Sequence, residues 1–232
     1  MGEENSLFNT NLNLEQSFSY NGVIRVLKIV VNATKGGVGK TTVATNIALL
    51  LAQQNKRVWA LDLAGRSRMG NFLKSIDYFA NDRNKIDIRE TEPLPDNFPG
   101  GNNYDFLVAD TDDYYEVPAA VVTKRGWRLI VPVVPEYDPI GLEDIVKETA
   151  SLLNFGLLID IVPKARIIVN NRFPNHDYEQ PYEKVSKLLQ NSGIDEFLSP
   201  DWLPFVSLSP LDFTSDEIFS QSLRSVLAEL DM

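Results

Sequence analysis

The 232-residue chain is long enough for one substantial hydrophobic core, and a single domain is the expectation. With no cysteine and one histidine, His176, it can hold no disulfide framework or thiolate cluster, and a histidine-rich metal site or serine–histidine triad is argued against. A formal charge of −10 opposes unassisted attraction to nucleic acid or an anionic membrane, and no apolar run approaches the roughly 20 residues that cross a bilayer.

The start, MGEENSLFNTNLNLEQ, is polar and acidic where a secretory signal would be basic and then apolar. Residues 1–22 therefore read as a polar N-terminal extension of a cytoplasmic protein, and 23–232 as its single domain. From Arg25, RVLKIVVNA is a short β-branched run without clean alternation, which fits a strand covered on both faces. TTVATNIALLLAQQNKR changes period, with Val43, Ile47, Leu50 and Leu51 toward one side of a helix and Ala44, Ala48 and Ala52 keeping part of it thin. RVWALDL supplies the next strand, so residues 25–63 read as strand, loop, helix, strand, and a parallel, helix-covered sheet follows from that order.

SRMGNFLKSIDYF reads as a short helix, and KIDIRE as a strand inside a stretch rich in Asn, Asp, Pro and Gly. YDFLVADTDD is a strand ending in carboxylates, AAVVTKRG a helix stopped by glycine, and WRLIVPVVP a buried strand whose Pro132 and Pro135 end regular pairing near Val131 to Val134. DPIGLEDIVKETASLLNF predicts an amphipathic helix with Pro139 near its first turn. ARIIVNNRF resembles a strand running out to a polar edge, residues 178–191 suit a helix, DWLPFVSL a short extended segment, and SDEIFSQSLRSVLAEL the last helix.

The stretch KGGVGKTT, Lys35 to Thr42, joins the first strand to the first helix. That order sets a nucleotide at the carboxyl end of a sheet. Gly36, Gly37 and Gly39 let the backbone turn closely around phosphate, and consecutive amides with the following helix terminus can point at the anion. Lys40 would reach the β- and γ-phosphates, and Thr41 would offer its hydroxyl to Mg²⁺. The G-x-x-x-x-G-K-[ST] spacing is incomplete, because Lys35 stands where its first glycine should be.

Lys35 through Thr42 resembles the deviant Walker A loop of the ParA/MinD ATPases, with the nearest likeness to plasmid-partition ParA proteins. The resemblance implies a P-loop NTPase-like α/β fold, mainly parallel with helices on both faces. It implies ATP, ADP and Mg²⁺ as ligands, with Gly36, Gly37, Val38, Gly39, Lys40, Thr41 and Thr42 around the phosphates. Lys35 becomes the signature lysine that crosses an ATP-sandwich homodimer to the partner's phosphates, where a second cation offsets charge left by Lys40. The implied catalytic set is Lys35, Lys40 and Asp62, and the implied metal set is Thr41, Asp62 and Asp110. RIIVNNRF resembles the family's asparagine-bearing strand end and makes Asn170 a candidate near adenine, since an amide offers both a donor and an acceptor. LIVPVVPEYDPIGLEDI resembles its proline-containing nucleotide-side loop.

One position departs from the family. Where its second strand ends in aspartate, any residue, aspartate, proline, glutamine, this chain has Asp62, Leu63, Ala64, Gly65 and Arg66. Ala64 thus replaces the water-positioning aspartate, and a methyl group accepts no proton, so hydrolysis is expected to be slow or absent. Arg66 and Arg68 can donate to phosphate but cannot replace an acceptor. After Asp110 the chain continues with Thr111, Asp112 and Asp113 in place of the family's prolines; the two aspartates are expected to face water or a partner, with movement of either toward the position of the missing Ala64 carboxylate as the alternative.

The implied function is an ATP-dependent dimerising switch for plasmid partition or cargo positioning, with weak or partner-dependent ATPase activity. Its partners would be an adaptor protein and, through a surface shared by two subunits, non-specific DNA, with nucleoid association as the consequence. The candidate cations are Lys124, Arg125 and Arg128, or Lys164, Arg166 and Arg172. The alternatives are a non-hydrolysing regulatory adaptor and an assembly ATPase of a conjugation or surface apparatus. The last helix carries Ile218, Phe219, Leu223, Leu227 and Leu230, but its Asp216, Glu217, Glu229 and Asp231 against Arg224 argue for core packing over direct membrane binding. Trp202 and Phe205 read as anchors for the terminal segment.

Overall fold

In the computed structural model, the described residues are 26–76, 86–90, 103–112, 116–123, 127–135, 139–158, 163–171, 174, 179–207 and 212–232. The expected N-terminal extension, Asp113, Lys124, Arg125, Arg172 and His176 lie outside them. Seven strands form one sheet: β1 (Leu27–Val31), β2 (Val58–Asp62), β3 (Ile86–Glu90), β4 (Phe106–Asp110), β5 (Trp127–Val133), β6 (Lys164–Asn170) and β7 (Leu198–Leu203). Their order is β3-β2-β4-β1-β5-β6-β7, and every pairing is parallel.

Parallel neighbours require crossovers, and among the described residues helices α1 (Lys40–Gln53), α2 (Arg68–Ser75), α3 (Glu116–Thr123), α4 (Pro139–Leu158) and α5 (Glu179–Asn191) lie in them, while α6 (Glu217–Glu229) follows the last strand. Ile29 and Val31 of β1 face a cluster built with α1, α2 and α6, whereas Val30 faces a second cluster built with α3, α4 and α5. Helices therefore cover both faces, which is why the central strands are apolar at consecutive positions.

The helix α1 is more deeply buried than its pattern suggests. Every residue from Val43 to Ala52 is buried, where a one-sided stripe was expected. It packs on the sheet and is flanked in the same cluster by Met69 and Leu73 of α2 and Phe219, Leu223 and Val226 of α6. A helix enclosed by other elements needs no polar face.

Pro132 lies within β5, paired with Ile168 of β6. The Asn32 amide donates to Ile130 O (3.0 Å), so even-numbered backbone groups of β5 face β1. Pro132, which has no amide hydrogen to donate, faces that side just beyond the end of β1 at Val31, where the ladder needs no donor from it.

The last strand begins at Leu198, three residues before the expected segment, and has a register irregularity against β6 between Ile167 and Val169. The helix α6 packs as expected for a core element. Phe219, Leu223, Leu227 and Leu230 are buried, and Ile218 is the exception at 68% exposure. Three of the cations considered for DNA bind this C-terminal region. Arg128 Nε donates to Leu230 O (2.9 Å), Lys164 pairs with Asp231, and Arg166 Nε meets Glu229 Oε2 at 2.7 Å. No helix among the described residues is long and apolar enough to cross a membrane.

Candidate nucleotide site

The strand order creates the site. β1 lies between β4 and β5; α1 follows β1 onto one face, while α3 and α4 follow β4 and β5 onto the other. Chains leaving neighbouring strands toward opposite faces open a crevice at the carboxyl edge. Register then aligns the chemistry there, with Val31 opposite Asp110 and Asp62 opposite Asp110.

The loop from Asn32 to Gly39 turns over this edge and enters α1. Gly37 and Gly39 have φ of 74° and 95°, and a Cβ at Gly39 would fall on the Asn170 amide nitrogen. Both the backbone conformation and the neighbouring side chain therefore require glycine at 39. Val38 is fully buried, so its side chain anchors the loop in the core. Lys40 is also buried, and its Nζ donates to Ala33 O (3.0 Å) and Lys35 O (2.9 Å), which holds the ammonium along the loop.

A cleft of about 660 Å³ runs from this loop past Ala64 and Gly65, under Asn170 and Asn171, to Phe205 and Phe213. Gly36, Gly37, Gly39, Lys40, Thr41 and Thr42 line its phosphate end, and Arg66 and Arg68 are exposed at its rim. Lys35 is half-exposed, with Nζ 3.5 Å from Asp144 Oδ2 of α4.

The two strand-end carboxylates differ. Asp62 is fully buried, with Oδ1 accepting from the Ala64 amide (3.1 Å) and Oδ2 from the Gly70 amide (2.8 Å). It thereby closes the loop after β2 and caps the first turn of α2. Burial raises its pKa, the Gly70 and Ala64 amides oppose this, and the Glu90 charge adds to it. Both oxygens of Asp110 are buried without a well-formed hydrogen bond. Burial pushes its pKa up to about 7; the Thr41 hydroxyl and Lys40 charge pull it down, and the Asp62 charge pushes it further up.

An orphaned, buried carboxylate beside a threonine hydroxyl matches the donor chemistry of a hard divalent cation. Among the described residues no group of three or more His, Cys, Asp or Glu could hold a metal alone.

The neighbouring loop is tied to β1. Asn32 Nδ2 donates to Thr111 Oγ1 (2.5 Å) and to Asp112 O (3.3 Å), and Thr111 Oγ1 donates to Val31 O (2.9 Å).

At the far end of the cleft the asparagines divide their work. Asn170 Nδ2 donates to Val38 O (2.8 Å) and so braces the phosphate loop. Asn171 is the more buried; its Nδ2 donates to Leu203 O (3.0 Å) while Oδ1 is left without a partner. Sequence reasoning singled out Asn170 and missed Asn171, although the doubled asparagine at a strand end was the available signal. Phe205, expected to anchor the terminal segment, lines this cleft.

Residues 29–205 match the model of the CobQ/CobB/MinD/ParA nucleotide binding domain. A sequence search against curated proteins finds no match. Among solved structures the chain is similar to a plasmid partition protein from Borrelia burgdorferi, with 15% identity, a TM-score of 0.54, and 89% of this chain and 99% of that one covered. It is similar also to pNOB8 ParA bound to nonspecific DNA, with 16% identity, a TM-score of 0.57, and coverage of 89% and 99%. A third is cobyrinic acid a,c-diamide synthase from Mycobacterium smegmatis with a bound ATP analogue and magnesium, with 14% identity, a TM-score of 0.52, and coverage of 86% and 91%. At these identities the structural likeness speaks for the fold.

Proposed function

The chain belongs to the CobQ/CobB/MinD/ParA nucleotide-binding family, and from that premise we propose that it is an ATP-dependent dimerising switch that positions a plasmid or other intracellular cargo. The observation that carries this reading is the cradle itself. Two glycines at positive φ turn the loop, a buried lysine lies along it, and a buried carboxylate with no well-formed hydrogen bond stands beside the Thr41 hydroxyl.

In this reading the loop amides and the terminus of α1 hold the phosphates, and Lys40 exchanges its two carbonyl contacts for phosphate oxygens. Thr41 and Asp110 would hold Mg²⁺, which supplies charge neutralisation to the triphosphate. Asp62 adds negative charge one strand away and keeps the loop after β2 closed. Asn171 Oδ1, buried and without a hydrogen-bond donor at the base end of the cleft, is an acceptor that would suit the exocyclic amine of adenine over the carbonyl of guanine once nucleotide enters, while Phe205 and Phe213 provide apolar surface for the base.

Lys35 supports the dimer. A half-exposed pair at 3.5 Å is worth at most about 1 kcal/mol, so Asp144 does not lock the lysine against a second copy carrying ATP. Hydrolysis is weak or depends on a partner, because Ala64 offers no acceptor for water. The same alanine favours a second reading, a regulatory adaptor that binds ATP without turnover. The described cations Arg128, Lys164 and Arg166 are engaged with the C-terminal region, so a DNA surface would need other residues or both subunits.

Light scattering with Mg²⁺ and either ADP, GTP or a non-hydrolysable ATP analogue tests the switch. The expected result is a dimer with the ATP analogue alone. Failure of ATP to bind, or binding that leaves association unchanged, rejects the dimerising switch.

A further inference from the structure

The missing carboxylate at position 64 has a neighbour. β2 and β4 run side by side with Asp62 opposite Asp110, and the Leu63 amide continues the ladder to Asp110 O at 2.8 Å. Ala64 and Asp112, each two residues past those aspartates, therefore leave the same sheet edge together. A Cβ built on Gly65 would lie 3.6 Å from Asp112 Oδ2, so this carboxylate reaches across to the loop that bears Ala64. Ala64, Gly65 and Asp112 line the same cleft as Lys40 and Thr41. The Asp112 backbone is fixed by Asn32, whose Nδ2 holds both Asp112 O and the Thr111 hydroxyl.

We propose that Asp112 supplies, from the loop after β4, the water-positioning carboxylate that Ala64 fails to supply from the loop after β2. This deepens the nucleotide-switch reading and rests on it. The substrate is a nucleoside triphosphate with water as co-reactant. Asp112 accepts a hydrogen bond from that water and orients its oxygen toward the γ-phosphorus. The new bond forms between water oxygen and phosphorus; the bond from phosphorus to the β,γ-bridging oxygen breaks, and its electron pair leaves with the nucleoside diphosphate. The water protons end on inorganic phosphate and solvent, so Asp112 acts by position and undergoes no net change.

Asp112→Asn keeps the shape of the side chain and removes its charge. Three measurements on the full chain test the assignment: binding of a fluorescent ATP analogue with Mg²⁺, phosphate release, and trapping of ADP by aluminium fluoride, which mimics the reacting phosphoryl group. Asp112→Asn is expected to bind the ATP analogue within about twofold of wild type, to release phosphate at least about tenfold more slowly, and to lose ADP–aluminium fluoride trapping. Ala64→Asp in the Asp112→Asn background is expected to restore both turnover and trapping. The assignment is overturned if Asp112→Asn binds nucleotide and retains turnover or trapping, if Ala64→Asp fails to rescue it, or if wild type binds nucleotide but releases no more phosphate than Lys40→Ala. Wild-type protein that binds no nucleotide rejects the switch reading itself, a result distinct from these.

Discussion

Asp110 is where burial and charge conflict most sharply. Its carboxylate has no well-formed hydrogen bond, and burial pushes its pKa from the ordinary 3.8 to about 7. The folded protein therefore holds a proton there that the unfolded chain has already released between about pH 4 and pH 7. Stability from this group is greatest below pH 4, falls as pH rises through that window, and is level above it. Asp110→Asn should remove this part of the slope and raise ligand-free stability at pH 8 by about 1–3 kcal/mol. The same change should weaken Mg²⁺-dependent nucleotide binding. Urea unfolding of both proteins at pH 5 and pH 8 measures the first effect, and nucleotide titration with and without Mg²⁺ the second. A wild-type protein that gains stability relative to the variant between those pH values would contradict it.

At the scale of elements, α6 ties the end of the chain to the sheet. The Asp216 side chain accepts from the Phe219 amide at 2.8 Å and caps the helix, and Phe219 then inserts beside Phe213 with ring centroids 5.3 Å apart. Because Phe213 lines the cleft, the cap supports its far end indirectly. Asp216→Ala should cost about 1 kcal/mol, seen as a fall of about 2–4 °C in thermal midpoint, with ATP affinity little changed. The element order was legible in the sequence because periodicity and turn residues are local. The enclosure of α1 and the early start of β7 at Leu198 were not, since each depends on elements distant in the chain.

For the whole molecule the question is how two copies meet. Lys35 stands half-exposed at the mouth of the loop, paired only loosely with Asp144. Lys35→Ala should leave stability within about 1 kcal/mol of wild type and retain ATP binding, yet fail to dimerise with a non-hydrolysable ATP analogue. Light scattering and fluorescent-nucleotide titration on one sample separate the two effects. A variant that still dimerises would remove Lys35 from the proposed interface. The net charge of −10 adds a condition, since any DNA contact must come from a local basic surface and weaken steeply with salt.

The sequence by itself determined the phosphate loop, the parallel α/β order and the loss of a carboxylate at Ala64, because these lie in contiguous residues whose spacing carries the chemistry. Only the tertiary structure decided which of Asn170 and Asn171 braces the loop, that both oxygens of Asp62 are engaged by backbone amides, and that Asp112 lies against the loop bearing Ala64. The Asp62 contacts reach only two and eight residues along the chain, closing a loop whose path is set by how α2 packs on the sheet. The Asn170 and Asp112 contacts join residues about 130 and about 50 positions apart that strand register brings together, and no local pattern encodes a distance between segments that meet only in the folded sheet.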